Sequence, residues 1–146
     1  MTSTKPERFL AIDYGTARIG TAVSDPLGIT ARGLETINWN GQDSAWAMDR
    51  LVALIEDLQI TTVIMGLPRR TDGKTSDSET KARAMGEALA ARTGRTVIYR
   101  DERYTTVLAS QVLRETGVRG KKRKAVLDQV AAEIILQEYL ESQRKA

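Results

Sequence analysis

The segment FLAIDYGTARIGTAVSD, residues 9–25, determines how the fold begins. Its apolar run 9–12 has the composition of a short buried strand and ends at Asp13. The tripeptide YGT that follows is typical of a turn, and residues 18–24 then predict a second strand. We therefore predict a β-hairpin whose first strand stops at an acidic residue.

The spacing of apolar residues predicts the elements that follow the hairpin. Further strands are predicted at 33–37, 62–65 and 96–100, and helices at 43–58, 78–92, 106–115 and 125–143. Trp46 belongs to the predicted apolar face of the first helix, and Gly94 is expected to end the second as a C-cap. The basic segment 117–124 is predicted to be a loop. The last helix is expected to bury Leu127, Val130, Ile134, Leu136 and Leu140.

Three strands followed by alternating helices and strands predict an α/β fold, with a single domain over residues 1–146. We expect a mixed sheet of about five strands in the order 3-2-1-4-5, with helices on both faces. The first three strands would be antiparallel neighbours, and the last two would run parallel to the first through right-handed crossovers. In α/β folds the edge where such strands end is the usual place for a site.

The chain contains neither cysteine nor histidine, which excludes several kinds of chemistry. Disulfides, cysteine-held zinc, thiol nucleophiles and histidine bases are all ruled out. Carboxylates remain as the candidate metal ligands, and oxygen ligands favour hard ions such as Mg²⁺ or Mn²⁺.

Three acidic residues are expected at one edge of the sheet. Asp13 ends the first strand, Glu102 follows the last strand, and Asp128 lies in the first turns of the last helix. Each has a simpler explanation on its own: a turn cap for Asp13, a surface acid for Glu102 and a partner of the helix dipole for Asp128. Their arrival at one edge favours a carboxylate cluster, because a partly buried acid is costly unless it is paired or bound to metal.

Divalent cations remove the repulsion between adjacent carboxylates. Two ions about 3.5–4 Å apart can activate a water molecule and stabilise the leaving oxygen of a phosphodiester. We therefore predict a nuclease site in which Asp13, Glu102 and Asp128 are both catalytic residues and metal ligands. If the order is 3-2-1-4-5, one strand separates the first strand from the last, and their ends lie about 9–10 Å apart. Glu102 must then reach inward from its loop, or the strand order differs.

Basic residues are grouped along the chain, although the net charge is only +3. Local groups matter more for nucleic-acid binding than the total charge. Solvated loops and structural ion pairs are the alternative explanations. The basic residues predicted to bind nucleic acid are Arg18, Arg69, Arg70, Lys74, Arg103, Lys121, Lys122, Arg123 and Lys124.

Four motifs resemble the YqgF family in their order and spacing. They are AIDYGTARIGTAVSD at 11–25, GLP at 66–68 with DG at 72–73, DERYTT at 101–106, and DQVAAEIILQEYL at 128–140. Members of that family are described as RuvC-like Holliday junction resolvases and as pre-16S rRNA nucleases. The resemblance covers nearly the whole chain. It implies an RNase H-like fold and a cytoplasmic nuclease that needs a divalent metal.

The family's motifs assign its acids to Asp13, Glu102 and Asp128 of this chain. Tyr104 stands where the family more often has an aliphatic residue, and it would either stack on a base or pack against the protein. Related resolvases often have a fourth acid, for which Glu133 is a weak candidate. The implied partners are precursor rRNA and branched DNA. A junction resolvase would be a symmetric homodimer, because it makes paired cuts.

Two other functions remain open from the sequence. A nucleic-acid-binding or ribosome-binding module on the same fold would bind without cleaving. A phosphotransferase of the actin-like type also begins with strand–DxG–turn–strand, but it needs two domains around its nucleotide, and 146 residues supply one. No apolar run is long enough to predict a membrane helix, so we expect a soluble cytoplasmic protein without a membrane partner.

Overall fold

The computed structural model describes residues 7–15, 17–40, 44–67, 76–101 and 121–144. Its strands are β1 Phe9–Asp13, β2 Arg18–Ser24, β3 Ala31–Asn38, β4 Thr62–Leu67 and β5 Thr96–Asp101. Its helices are α1 Ser44–Asp57, α2 Asp77–Thr93 and α3 Lys121–Arg144. The predicted helix 106–115 lies outside the described residues.

The five strands form one sheet in the order β3-β2-β1-β4-β5. β2 pairs antiparallel with β1 and β3, whereas β4 pairs parallel with β1 and β5. The predicted strand order and directions are therefore confirmed. Asp13 lies opposite Gly20 of β2 and Gly66 of β4, so it occupies the central strand near the edge where β1 and β4 end.

The sheet separates two apolar clusters, because successive residues of a strand point to opposite faces. In β1, Leu10 and Ile12 pack in the larger cluster with α1 and α2. Phe9 and Ala11 pack in the smaller cluster with the C-terminal half of α3. Helices therefore lie on both faces, as predicted, and α3 alone of the described helices covers its face.

Helix α2 has well-defined ends. The Ser76 side chain caps its N-terminus by accepting a hydrogen bond of 3.1 Å from the backbone N–H of Glu79. Gly94 ends it in the left-handed conformation, with φ of 69°, as the sequence predicts. None of the helices within the described ranges is both long and apolar enough to cross a membrane.

Some sequence-based predictions about the helices were wrong. Helix α3 begins at Lys121, so residues 121–124 belong to its first turn and not to a loop; lysine and arginine are good helix formers despite their charge. Trp46 is 48% exposed, because α1 turns Ala47 and Leu51 inward instead.

The buried side of α3 agrees with the prediction only in part, since Leu136 and Leu140 are buried as predicted. Leu127, Val130 and Ile134 are only partly buried. The buried residues are Ala131, Ala132, Ile135, Leu136, Tyr139 and Leu140. The prediction omitted Ala131 and Ala132, which face the sheet beside the larger side chains and let the helix approach it closely.

Candidate active site

Asp13 is the last residue of β1 and lies on the α3 face of the sheet, because it alternates with Phe9 and Ala11. Both of its neighbours across the sheet are glycines, Gly20 and Gly66. Side chains on directly opposite residues lie only about 4.5–5.5 Å apart. Neither neighbour therefore places a side chain of its own beside the Asp13 carboxylate.

Asp128 lies about two turns into α3, directly over Gly20. A Cβ atom added to Gly20 would lie 2.0 Å from the backbone oxygen of Asp128 and 2.8 Å from its Cβ. No side chain fits at such distances, so glycine at this position allows α3 to lie against β2. Gly33 of β3 has a looser contact with the same helix, 3.1 Å from the Cβ of Gln129.

Gly20 therefore connects the two acids. It is the cross-strand neighbour of Asp13 and the contact point of Asp128. Given the usual cross-strand spacing, the Cβ atoms of Asp13 and Asp128 are at most about 8 Å apart. Two carboxylates at that separation can share one cation, because each aspartate side chain can extend toward the other. The metal–oxygen bond to each carboxylate then spans about 2.1 Å.

Arg18, the first residue of β2, contacts Asp128 directly. Its Nε donates a hydrogen bond of 2.7 Å to Oδ2 of Asp128. The Asp128 side chain is 16% exposed and that of Arg18 is 34% exposed, so the pair is partly shielded from water. A charge-assisted bond of this kind stabilises the carboxylate and also fixes its direction.

Glu133, the weak candidate for a fourth acid, has a structural contact. Its Oε2 accepts a hydrogen bond of 2.9 Å from the backbone N–H of Gly33 in β3. Gln129, one turn earlier, donates to the hydroxyl of Thr36 on the same strand at 3.2 Å. These bonds attach α3 to the outer strand of the sheet and account for the carboxylate of Glu133 without a metal.

Most of the remaining predicted site residues, Glu102 among them, lie outside what the structure describes. Strand β5 ends at Asp101, one residue before Glu102, and β4 separates β5 from β1. Arg69, Arg70, Lys74, Arg103 and Tyr104 lie in the segments that are not described. Lys121, Lys122, Arg123 and Lys124 are placed as the first turn of α3.

The donor chemistry of the described acids suits a hard divalent ion. Asp13 and Asp128 offer carboxylate oxygens on one face, with glycines beside them. Among the described residues, no group of three acids forms a complete metal site. The third acid of the predicted set, Glu102, is not among those residues, so the two aspartates form the described part of the candidate site.

The sequence reasoning missed the two glycines beside Asp13. Gly20 and Gly66 each interrupt an apolar strand, and a glycine inside a strand often marks a close approach of another backbone. That signal was present in the sequence. What it could not indicate is which helix approaches.

A cleft of about 390 Å³ lies on the opposite face of the sheet, between α1 and α2. Tyr14 and Trp39 line it and meet edge to face, with ring centroids 6.0 Å apart. Burial raises the pKa of the Tyr14 phenol above its ordinary value. Because the sheet lies between them, this cleft is separate from Asp13 and Asp128.

Comparison with known proteins gives the family. Residues 7–142 match the model of the RuvX family, described as Holliday junction resolvase. A protein of Lactobacillus delbrueckii subsp. bulgaricus is 42% identical over 140 residues, which cover 94% of this chain and 99% of the relative. A protein of Streptomyces avermitilis is 46% identical over 138 residues, covering 94% and 87%. Both carry the provisional name pre-16S rRNA nuclease.

Solved structures support the fold. Thermus thermophilus RuvC superposes with a TM-score of 0.58 at 16% identity, covering 94% of this chain and 96% of RuvC. The fowlpox virus Holliday junction resolvase superposes with a TM-score of 0.56 at 17% identity, covering 92% and 99%. The architecture is therefore the RNase H-like fold of RuvC-like resolvases, as the motifs implied. From the family match and the close relatives together, the chain belongs to the RuvX (Holliday junction resolvase) family.

Proposed function

We propose that the protein is a divalent-metal-dependent endonuclease that hydrolyses phosphodiester bonds in structured nucleic acid. The observation that carries the proposal is the convergence of Asp13 and Asp128 over Gly20, on one face of the sheet and near the edge where β1 ends. Family membership supports nuclease chemistry in general. The choice of residues and of metal is our own inference.

In this proposal Asp13, Glu102 and Asp128 hold Mg²⁺ or Mn²⁺, with two ions at the complete site. Such ions supply an activated water and neutralise charge on the leaving oxygen. The chain's own contribution is positional. Gly20 allows the short distance between α3 and the sheet, and Arg18 restrains the Asp128 carboxylate through Nε. No histidine is available as a base, which suits a reaction assisted by carboxylates.

Basic residues near this edge would bind the nucleic-acid backbone, since phosphate contacts position the substrate without reading sequence. Tyr104 would stack on a base. The proposed contacts are Arg18, Arg69, Arg70, Lys74, Arg103, Lys121, Lys122, Arg123 and Lys124.

The preferred substrate in this proposal is the precursor of the small-subunit rRNA. The provisional names of close relatives, at 42–46% identity, support it. A four-way DNA junction is the second candidate, because the solved structures with this fold include T. thermophilus RuvC in complex with Holliday junction substrate. The junction substrate requires a homodimer with two symmetric sites. Both substrates place the protein in the cytoplasm.

A non-catalytic nucleic-acid-binding module is the main alternative. It predicts binding of the same substrates without cleavage, with or without metal. An actin-like nucleotide-binding enzyme is the other alternative, and it predicts tight ATP binding in a calorimetric titration. The meeting of both acids at Gly20 favours the nuclease, because a module that only binds does not need two carboxylates brought together.

The proposal is tested by incubating the purified protein with Mn²⁺ or Mg²⁺ and either a precursor rRNA fragment or a four-way DNA junction. Asp13→Asn, Glu102→Gln and Asp128→Asn should each lower the cleavage rate at least about 100-fold, since groups supporting metal ligands alone are worth 10–100-fold. Asp49→Asn is the matched control, because Asp49 is an exposed acid of α1 paired with Arg92. It should cleave like the wild type.

Cleavage that persists in Asp13→Asn and Asp128→Asn, or in the presence of EDTA, would contradict the mechanism. Binding of either substrate without any cleavage would favour the non-catalytic module. The same gels identify the preferred substrate, because only one of the two nucleic acids should be cut efficiently.

A further inference from the structure

Arg18 uses only part of its hydrogen-bonding capacity on Asp128. Its Nε donates to Oδ2 of Asp128, and no other hydrogen bond joins the Arg18 side chain to a described residue. A guanidinium carries five N–H donors in one plane. The four donors on its two terminal nitrogens therefore have no partner among the residues that the structure describes, in a side chain that is 34% exposed.

Arg50 shows what a fully engaged pair looks like in the same protein. Its Nε donates to Oε2 of Glu35 at 2.9 Å, and its Nη2 donates to Oε1 of the same carboxylate. Two parallel bonds to one carboxylate occupy one side of the guanidinium fork. Arg18 instead meets Asp128 through the single Nε, and neither terminal nitrogen bonds to a residue within the described ranges.

The position of Arg18 makes those donors relevant to the site. Asp13 pairs with Gly20, and Arg18 lies two residues beyond Gly20 on the same face of β2. Gly20 is the residue that both aspartates contact. Arg18 thus lies closer than Gly20 to the edge of the sheet where β1 ends. A nucleic-acid strand with a phosphodiester bond placed for hydrolysis at Asp13 and Asp128 would pass beside Arg18.

We infer that Arg18 binds two groups at once: Asp128 through Nε, and a phosphate of the nucleic acid through its terminal nitrogens. This inference rests on the proposed nuclease site and adds that Arg18 connects the bound nucleic acid to Asp128. Planar arginine suits such a role, because its donors point in fixed directions and match phosphate oxygens in pairs. Asp128 then acts as a positioning residue for Arg18, and the bound phosphate holds both beside the site.

The inference is tested by nucleic-acid binding in EDTA, where no cleavage occurs. Labelled precursor rRNA fragment and labelled DNA junction are titrated at several salt concentrations. Loss of one phosphate contact lowers the slope of log affinity against log salt by about 0.7–0.9. Arg18→Gln should show this decrease, with binding about eightfold weaker at roughly 0.1 M salt. Arg18→Met, which keeps the apolar stem, should behave in the same way if Arg18→Gln folds poorly.

Arg50→Gln is the matched control, because it removes another arginine of a carboxylate pair in an exposed position. It should leave the salt slope unchanged. The role of Asp128 is measured by repeating Arg18→Gln in an Asp128→Ala background, where the change in slope should fall to less than half. The reason is that an arginine without its carboxylate partner no longer holds a fixed direction.

A purely structural ion pair would leave the slope the same in Arg18→Gln and wild type, and that result would overturn the inference. An equal effect of Arg18→Gln with and without Asp128 would overturn the positioning role. If the wild type binds nucleic acid but does not cleave it with Mn²⁺, the proposed nuclease function fails, while the salt slopes still decide the role of Arg18. If the wild type binds neither nucleic acid, both proposals fail.

Discussion

The two faces of the central sheet are built from different kinds of residues. Toward α1 and α2 the sheet presents large apolar side chains such as Leu10, Ile12 and Met65, which belong to the larger cluster. Toward α3, near the edge where β1 ends, it presents Gly20 and Gly66 beside Asp13. Neighbouring residues of one strand thus serve opposite purposes, because their side chains alternate between faces.

The difference shows how one sheet can provide both stability and a site. Burial of large aliphatic side chains contributes about 1.5–3 kcal/mol each, so the α1–α2 face supplies much of the free energy of folding. Small residues on the α3 face bury less apolar surface and so contribute less of this free energy. In exchange the backbone of α3 comes within contact of β2, and this contact fixes where Asp128 stands relative to Asp13.

Gly20→Ala should have the largest effect on stability of the changes proposed for the two faces. The added Cβ would lie 2.0 Å from the backbone oxygen of Asp128, and neither backbone can move aside without separating α3 from the sheet. We expect the free energy of unfolding to fall by about 3 kcal/mol or more, beyond ordinary overpacking, as measured by urea denaturation. Cleavage by the surviving folded protein should fall as well, because Asp128 is displaced.

Gly33→Ala is the comparison for Gly20→Ala on the same face. Its Cβ would lie 3.1 Å from the Cβ and 3.3 Å from Oε1 of Gln129, so the amide oxygen can rotate away and the Cβ contact needs a shift of only a few tenths of an ångström. Neither glycine has a positive φ, so the comparison measures packing and not backbone conformation. A loss below about 1 kcal/mol is expected for Gly33→Ala. Equal losses of stability for the two variants would show that the backbone contact at Gly20 constrains α3 no more than the contact at Gly33 does.

Glu133→Ala should have an intermediate effect. It removes the acceptor for the Gly33 backbone N–H and frees that part of α3 from β3. Loss of a hydrogen bond to a charged acceptor is expected to cost about 1.5–3 kcal/mol in urea denaturation. Glu133→Gln keeps an acceptor oxygen and should restore most of the stability. A rate of cleavage that falls more than about 100-fold in Glu133→Gln, at unchanged stability, would instead make Glu133 a fourth metal ligand.

Most of the fold could be predicted from the sequence, because its signals are local. The apolar run before Asp13, the turn after it and the alternation of strands and helices were enough for the sheet order and strand directions. Gly94 was correctly identified as a helix end for the same reason. The bounds of α3 were less accurate, since a run of lysine and arginine is compatible with both a loop and a first helical turn.

The candidate site could be predicted only in part, because its contacts join distant residues. Asp13 and Asp128 were identified from their positions and motifs, but the Arg18–Asp128 pair spans 110 residues and no local pattern reports it. The buried side of α3 was misassigned in part, since Leu127, Val130 and Ile134 were expected there and are only partly buried. The need for Ala131 and Ala132 there follows from how closely the helix approaches, which is a property of the folded molecule.

Ile12→Val should have a small effect on stability and separates the two faces most directly. Ile12 precedes Asp13 in the chain but is fully buried on the opposite face, in the cluster with α1 and α2. Removing one methylene from such a position costs about 0.5–1.5 kcal/mol, measured by urea denaturation. The cleavage rate should stay within about twofold of the wild type well below the unfolding midpoint, because the small cavity forms on the far side of the sheet. A tenfold loss of cleavage would mean that packing on the α1–α2 face sets the position of Asp13, and that the two faces do not act independently.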